Sequence, residues 1–150
     1  MRHLTLALAA SLLLAGAPPA DATPGLKLDA AMKLGRSQKR DVMGVVYYVQ
    51  KGVVVSESWN SELAGWTDKR ADQLRVLAVG KRKLVKKEVF GNVDVFFRYQ
   101  DGLVVKYNKR RGRVITMDVS AKGFKPATVA KGTIETVQDW KDAPFKGKAW

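Results

Sequence analysis

The stretch from residue 93 to residue 119 reads VDVFFRYQ (93–100), DGLVVKYNKR (101–110) and RGRVITMDV (111–119). Apolar and polar residues alternate within each part, as in a β-strand that buries one face. Gly102 and Gly112 are the second residues of the second and third parts, where hairpin turns use glycine. The stretch therefore predicts three consecutive antiparallel strands, a β-meander. The residues expected on its buried face are Val93, Val95, Phe97, Tyr99, Leu103, Val105, Tyr107, Ile115, Met117 and Val119.

The length of the first loop decides which residues of the first two strands face each other. A two-residue loop, Asp101-Gly102, sets Phe97 opposite Lys106 and puts the apolar residues on opposite faces. A three-residue loop, residues 100–102, pairs Phe97 with Val105 instead and keeps them on one face. Gly102 then has the left-handed conformation of a bulged turn, and we expect this register. The same solution at Arg110-Arg111-Gly112 pairs Tyr107 with Ile115, Val105 with Met117 and Leu103 with Val119.

Elements before and after the meander complete the predicted fold. Residues 67–79 are expected to form a helix with Thr67 as its N-cap, Gly80 as its end and an apolar stripe of Ala71, Leu74, Leu77 and Ala78. A strand should follow from Lys83 to Phe90. Two further short helices are expected, one after Ser37 and one from Thr133 to Trp140. We therefore predict an α+β fold: a single domain of antiparallel strands with one to three short helices.

A second hairpin pattern lies 50 residues before the first loop. Residues 45–58 and 95–108 share apolar strands around a Gln-x-Gly loop, at Gln50 to Gly52 and Gln100 to Gly102. Such a repeat indicates an internal duplication. Independent hairpins of similar composition are the alternative.

The first 22 residues have the three parts of a secretory signal peptide. Arg2 and His3 precede an apolar run from residue 4 to residue 17, and Ala20-Asp21-Ala22 offers a small-residue cleavage site before Thr23. A transmembrane anchor would need about 20 apolar residues. We therefore predict a signal peptide at 1–22, a mature domain at 23–150 without a transmembrane span, and a periplasmic or secreted location.

Composition excludes many kinds of catalysis in the expected mature chain. The 150-residue sequence has no cysteine, and its one histidine is His3, within the expected signal. Sites that need His or Cys, such as Ser-His nucleophiles and most zinc centres, are therefore unavailable. Carboxylates remain, at Glu57, Glu88, Asp94 and Asp118, but their spacing marks no acid-base pair. We predict no enzyme activity, catalytic residue, metal site or cofactor.

Positive charge is the clearest functional signal. Removal of residues 1–22 takes away Arg2 and Asp21 and leaves 26 Lys and Arg against 13 Asp and Glu. Two clusters stand out, and the strand order places them at opposite ends of the sheet, on the order of 20 Å apart. They would bind an acidic partner or serve only as a solvated surface. The clusters are Lys81, Arg82, Lys83, Lys86 and Lys87, and Lys106, Lys109, Arg110, Arg111 and Arg113.

Phe96 departs from the core pattern, because its position in the alternation puts it on the polar face of the meander. It would lie there opposite Lys106, with Arg98 and Asp118 on the same face. One interpretation is a stacking platform for a nucleic-acid base. The other, which we favour, is a second layer over this face, formed by the first hairpin or a helix.

A resemblance adds to these expectations. Gly35-Arg36-Ser37 before Asp41-Val42, and Gly132-Thr133 before Val137, resemble the helix-opening Gly-x-Ser/Thr-to-Val signature of β-lactamase-inhibitory-protein-like modules and small outer-membrane assembly lipoproteins. The resemblance implies short helices before an antiparallel meander, often in tandem. It also implies a non-catalytic protein that binds other proteins in the envelope or outside the cell.

Three functions follow in order of preference. The first is a non-enzymatic secreted or periplasmic binding module for an acidic partner. The second is a binder of a polyanion, namely nucleic acid, lipopolysaccharide or anionic lipid. The third is a hydrolase that uses carboxylates.

Overall fold

The computed structural model describes residues 22–124 and 133–141, so residues 1–21 of the expected signal peptide lie outside it. The described part contains two α-helices, one 3₁₀ helix (Arg36–Gln38) and seven strands. The helices are α1 (Leu28–Lys33) and α2 (Asp68–Val79). The strands are β1 (Val42–Gln50), β2 (Val53–Ser61), β3 (Leu84–Phe90), β4 (Asp94–Tyr99), β5 (Val104–Arg110), β6 (Arg113–Ser120) and β7 (Glu135–Trp140).

The strands form one sheet in the order β3-β4-β5-β6-β2-β1-β7, and every neighbouring pair is antiparallel. The α+β class and the antiparallel meander, here β4-β5-β6, are therefore confirmed. The hairpin β1-β2 does not stack on the meander. It continues the same sheet, because β2 pairs with β6.

The register of the first meander loop is the predicted one. Val95 pairs with Tyr107 and Phe97 with Val105. The amide of Tyr99 donates to the carbonyl oxygen of Leu103 over 2.9 Å. Gly102 has a φ of +89°. The three-residue loop, predicted because it keeps the apolar residues on one face, is therefore confirmed.

The register of the second loop differs from the prediction. Arg110 pairs with Arg113, so the loop holds only Arg111 and Gly112, with φ angles of +54° and +77°. Both values suit the two-residue turn that follows the twist of a hairpin. Ile115 is the extra residue of a β-bulge on β6. Without this bulge, the shorter loop would turn the apolar residues of β6 to the other face of the sheet. Tyr107 therefore pairs with Met117, and Val105 with Val119.

The hairpin β1-β2 uses the same device as β5-β6. Lys51 and Gly52 form its two-residue loop, with φ angles of +52° and +80°. Val55 is then left out of the pairing, as Ile115 is on β6. The segments 45–58 and 95–108 are both hairpins, but their turns differ. Their origin by duplication stays a prediction.

Helix α2 matches its prediction closely. The Thr67 hydroxyl accepts from the amide of Arg70 over 3.1 Å, and Gly80 ends the helix with a φ of +63°. Ala71, Leu74 and Ala78 are buried as expected. Leu77 is 39% exposed instead, and Val79 is buried in its place.

Two predicted helices are wrong. The segment after Ser37 contains the end of a 3₁₀ helix and then β1, while the unpredicted α1 lies before it. Residues 135–140 form β7, not a helix, because they pair with the free edge of β1. The ring of Trp140 lies against Gly44, where a β-carbon would come within 2.1 Å of it. The predicted strand at Lys83 to Phe90 is present as β3.

The sheet has one packed face, which we call the inner face. Its buried side chains form one core with Ala31 of α1 and with Ala71, Leu74 and Ala78 of α2. We call the opposite side the outer face. The inner face carries Val45, Tyr47, Glu57, Trp59, Val95, Phe97, Val105, Tyr107, Met117 and Val119.

Arg75 fastens α2 to the inner face. Its guanidinium group donates to the hydroxyl oxygens of Tyr99 and Tyr107 over 2.7 and 2.9 Å. The group also lies 4.0 Å from the ring centre of Phe97. Tyr107 in turn donates to Asp72 over 2.6 Å. A largely but not fully buried cation therefore takes the place of an apolar residue in this helix contact.

Replacing Arg75 with Ala should lower the free energy of unfolding by roughly 3 kcal/mol, because two tyrosine hydroxyls and an aromatic ring lose their cation. Urea unfolding measures the effect. Arg110→Ala is the control, since Arg110 is exposed and should change stability by less than about 0.5 kcal/mol. Equal values for the two variants would contradict this account of the helix contact.

Replacing Gly112 with Val should destabilise by roughly 1–2 kcal/mol, because a β-branched residue resists a positive φ. A β-carbon there would meet nothing within 4 Å, so the cost is purely conformational. Gly112→Asn should be nearly neutral, since Asn tolerates the left-handed region. Thermal unfolding compares the two variants. A Val variant as stable as the Asn variant would contradict the two-residue turn.

Candidate functional site

The first predicted basic cluster is not one surface, because Arg82 has a structural role. Its guanidinium group binds the Asp101 carboxylate at 2.8 Å and donates to the carbonyl oxygens of Thr23 and Pro24 over 3.3 and 3.0 Å. Its side chain is only 7% exposed. Thr23 also donates from its amide to the carbonyl oxygen of Ala78, at the end of α2. Arg82 thus holds the start of the described chain in place.

The other residues of this cluster are dispersed. Lys86 forms an ion pair with Glu88 at 3.3 Å on the outer face of β3. Lys87 reaches the inner face, where its amine lies 5.6 Å from the ring centre of Phe97. Lys81 and Lys83 are exposed before β3. No single ligand contact would use them all.

The second predicted cluster is also divided. The Lys109 amine binds Asp68 at 2.9 Å and is mostly buried, next to the first turn of α2. Lys106 lies on the outer face, while Arg110 and Arg111 occupy the β5-β6 turn. Arg113 opens β6 and lines a cleft described below. The strand pairing puts this turn at the opposite end of the sheet from Lys83.

The outer face bears Phe96 as expected. Its ring centre lies 5.5 Å from the Arg98 guanidinium and 5.7 Å from the Lys106 amine, and Phe90 contacts it edge-on. The expected covering layer is absent from the described residues around it, because β1-β2 lies in the plane of the sheet and α2 packs on the inner face. Phe96 is half-buried by its neighbours.

A polar network covers the middle of the outer face. The Asp118 carboxylate accepts from the Ser58 hydroxyl over 2.7 Å and from the Asn108 amide over 2.9 Å. The hydroxyls of Ser56 and Ser120 lie 2.9 Å apart. The bonds of Ser58 and Ser56 cross the junction between β6 and β2, which joins the first hairpin to the meander, whereas the bond of Asn108 links β5 to β6. The network thus ties β5, β6 and β2 together on the outer face.

A basic cleft of about 390 Å³ lies where three separate segments meet. Arg40 and Asp41 precede β1, residues 65–67 precede α2, and Arg113 opens β6. Of the residues in this cleft, the sequence predicted only Arg113 as a binding residue, because nothing in the order of residues shows that these segments converge. The residues that line the cleft are Arg40, Asp41, Gly65, Trp66, Thr67, Lys69, Arg70, Gln73 and Arg113.

The cleft is held in shape by hydrogen bonds. Trp66 exchanges backbone hydrogen bonds of 2.8 and 2.9 Å with Val114, and its indole donates to the Asp41 carbonyl oxygen over 2.7 Å. Arg70 donates to the Arg40 carbonyl oxygen over 2.6 Å. At Gly65 a β-carbon would lie 2.8 Å from the β-carbon of Arg113. Glycine therefore allows the loop to approach β6 at this point.

Charge in the cleft is strongly unbalanced. Arg40, Lys69, Arg70 and Arg113 contribute four cations against the single carboxylate of Asp41. Asp41 binds Arg40 at 2.7 Å and lies 3.8 Å from Arg70. No ion pair at 4 Å or less holds Lys69 or Arg113 within the described residues. The cleft therefore suits a negatively charged group.

The four carboxylates considered for catalysis do not converge on a cleft. Glu88 binds Arg98 at 2.6 Å, and Asp94 lies 3.9 Å from Lys106, both on the outer face with Asp118. Glu57 is on the inner face and has no exposed surface. Residues 22–124 and 133–141 contain no group of three or more acidic or histidine side chains that would hold a metal ion.

Glu57 is the most perturbed acid of the described chain. Burial raises the pKa of its carboxyl from 4.5 to about 7, although nearby Arg36, a hydrogen bond from Trp59 and Arg82 all act to lower it. The Trp59 indole donates to one carboxyl oxygen over 3.0 Å. Tyr47 lies directly opposite Glu57 on β1, and burial raises the pKa of its hydroxyl too.

None of the described helices is both long and apolar enough to cross a membrane. No protein-family model matches the chain. Comparison with curated proteins gives no match, and comparison with solved structures gives none either.

The raised pKa of Glu57 makes stability depend on pH. The folded state holds the proton more tightly than the unfolded state, so the full stability is present below pH 4.5 and is lost as pH rises through about 7. The loss should be roughly 3 kcal/mol. Glu57→Gln removes the titration, so the variant should gain stability relative to the parent as pH rises. Urea unfolding at several pH values tests this, and parallel pH profiles would contradict it.

Proposed function

We propose that this protein is a non-enzymatic binding module that engages an acidic partner outside the cytoplasm. The observation that carries the proposal is the basic cleft, where four cations surround one carboxylate. Such an arrangement attracts anionic groups before contact and pairs with them on contact. The expected signal peptide supports the location.

The cleft is prepared for binding by its internal contacts. Arg70 is anchored by the Arg40 carbonyl oxygen and by the Gln73 side chain at 3.0 Å. An arginine already held in place loses less rotamer freedom when a carboxylate arrives. Arg113 and Lys69 have no such anchor among residues 22–124 and 133–141, and they supply the adaptable cations. The site thus combines fixed and adjustable donors.

The distribution of charge favours an acidic protein over a polyanion. A nucleic acid or lipopolysaccharide surface needs a continuous row of cations. Here Lys81 and Lys83 of the first predicted cluster and Arg110 and Arg111 of the second lie at opposite ends of the sheet. Glu88, Asp94 and Asp118 lie on the outer face between them. A compact cleft fits a small group of carboxylates on a protein surface better.

The experiment compares two variants of equal net charge. Lys69→Ser with Arg113→Ser removes two cations from the cleft, whereas Lys27→Ser with Lys33→Ser removes two exposed cations near α1. The probe is a glutamate-rich peptide, and calorimetry measures its affinity at low and physiological ionic strength. The cleft variant should bind roughly tenfold more weakly, the control less than twofold, and added salt should weaken binding throughout.

Equal losses in the two variants would mean that net charge alone attracts the probe and that the cleft is not the site. A parallel titration with duplex DNA tests the second function. A steep fall of log affinity with log salt, about 0.9 per phosphate contact, together with tighter binding than the peptide, would favour a polyanion.

A further inference from the structure

Exposed apolar side chains are concentrated on β3 and the turn that follows it. Val85 and Val89 are 65% and 60% exposed, and Leu84, Phe90 and Val93 are between 42% and 59% exposed. Elsewhere in the described chain, large exposed apolar side chains number four and are spread over Met43, Leu63 and the helix pair Val76 and Leu77. A concentration of this kind marks an interaction surface.

β3 is also an edge strand. It pairs with β4 on one side, and among the described residues no strand pairs with its other side. The backbone N–H and C=O groups along that side are open to a further strand. The edge therefore offers both a ladder of backbone groups and apolar side chains to a partner in extended conformation.

The sequence of β3, LVKKEVF, is complementary to itself in the antiparallel direction. A two-fold axis at Lys87 places Lys86 opposite Glu88 twice and brings Val85, which the irregularity in β3 leaves out of the pairing with β4, close to Val89 twice. Each of the three possible central axes sets one like pair at its centre, Lys87 against Lys87 in this register, but an axis at Lys86 or at Glu88 gives no pair of opposite charges and puts Lys87 opposite a valine. Opposite charges and apolar pairs stabilise facing strands, whereas like charges do not, so one register is strongly preferred.

Lys87 itself does not prevent this pairing. Its amine extends over the Phe97 ring of its own chain, at 5.6 Å from the ring centre. Glu88 lies on the outer face, where Arg98 already binds one of its oxygens. Lys86 of the same chain binds the other oxygen at 3.3 Å, so the facing Lys86 of a second copy would be a third cation beside this carboxylate. The central pairs of the register are thus compatible with the contacts within each chain.

We infer that two copies of this protein associate through β3, which pairs antiparallel with β3 of the second copy about an axis at Lys87. The sheet then continues from one copy into the other. This surface is separate from the basic cleft, because β6, which carries Arg113, is three positions away in the sheet.

Salt distinguishes this association from binding in the cleft. Each copy carries a net charge of +13, so long-range repulsion opposes the dimer and added salt screens it. Apolar contacts between the edges are not screened. The dimer should therefore strengthen as salt is added, whereas binding of an acidic probe should weaken.

The test uses paired charge variants at exposed positions. Val85→Glu with Val89→Glu and Val85→Lys with Val89→Lys each set like charges across the axis, so each variant alone should be monomeric. An equimolar mixture sets Glu against Lys and should restore the dimer. Sedimentation velocity of the parent, the variants and the mixture measures the state, and circular dichroism checks folding. Leu63→Lys, at a position 96% exposed and away from β3, should leave the dimer intact.

Three outcomes would overturn the inference. The first would be a parent chain that stays monomeric at about 100 µM at every salt concentration, since edge pairing should be visible at that protein concentration. The dimer persists in both charge variants, which would place it elsewhere. The mixture stays monomeric although both variants are folded, which would remove β3 self-pairing and leave an extended acidic peptide as the occupant to be tried. None of these results bears on the cleft.

Discussion

Within the part of the chain that the structure describes, only one face of this sheet is packed against helices, and this constraint governs the register of the central strands. A strand that shifts by one residue turns all its apolar side chains away from the core. The chain keeps the correct face by two means. The β4-β5 loop has three residues, with Gly102 in the left-handed region. The β1-β2 and β5-β6 loops have two residues each, and a bulge at Val55 or Ile115 then corrects the parity.

The same constraint explains what could be predicted from the sequence. At Gly102 only one loop length keeps the apolar residues together, so the register could be derived. At Gly112 two arrangements keep the apolar residues on one face: a three-residue loop, or a two-residue loop followed by a bulge. The residue type of Ile115 suits either arrangement. The bulge at Ile115 could therefore not be predicted from the sequence. The segment of Ile134, Val137 and Trp140 has helical spacing, but its pairing with β1 depends on a strand almost a hundred residues earlier. Local pattern carries no information about such a partner.

The candidate site shows a similar division. Counting charges identified a basic protein, but not which cations are free to bind. Arg82 and Lys109 were predicted as binding residues, and in the structure Arg82 holds Thr23 and Pro24 while Lys109 binds the first turn of α2. Arg75 was not singled out, yet it joins α2 to three aromatic side chains. The cleft gathers cations from three segments that only the folded chain brings together. Part of the positive charge of this protein thus serves its architecture.

The anchoring of Thr23 has a consequence for the cleavage that the sequence predicts before this residue. Ala22 and Thr23 are wholly buried, and the Thr23 backbone is bound by both Ala78 and Arg82. A peptidase needs its substrate bond extended and accessible. If the leader is removed between these two residues, the cut must come before this segment packs against the end of α2, or during its transient release. Maturation and folding would then compete in time, and a chain that folds first would keep its leader.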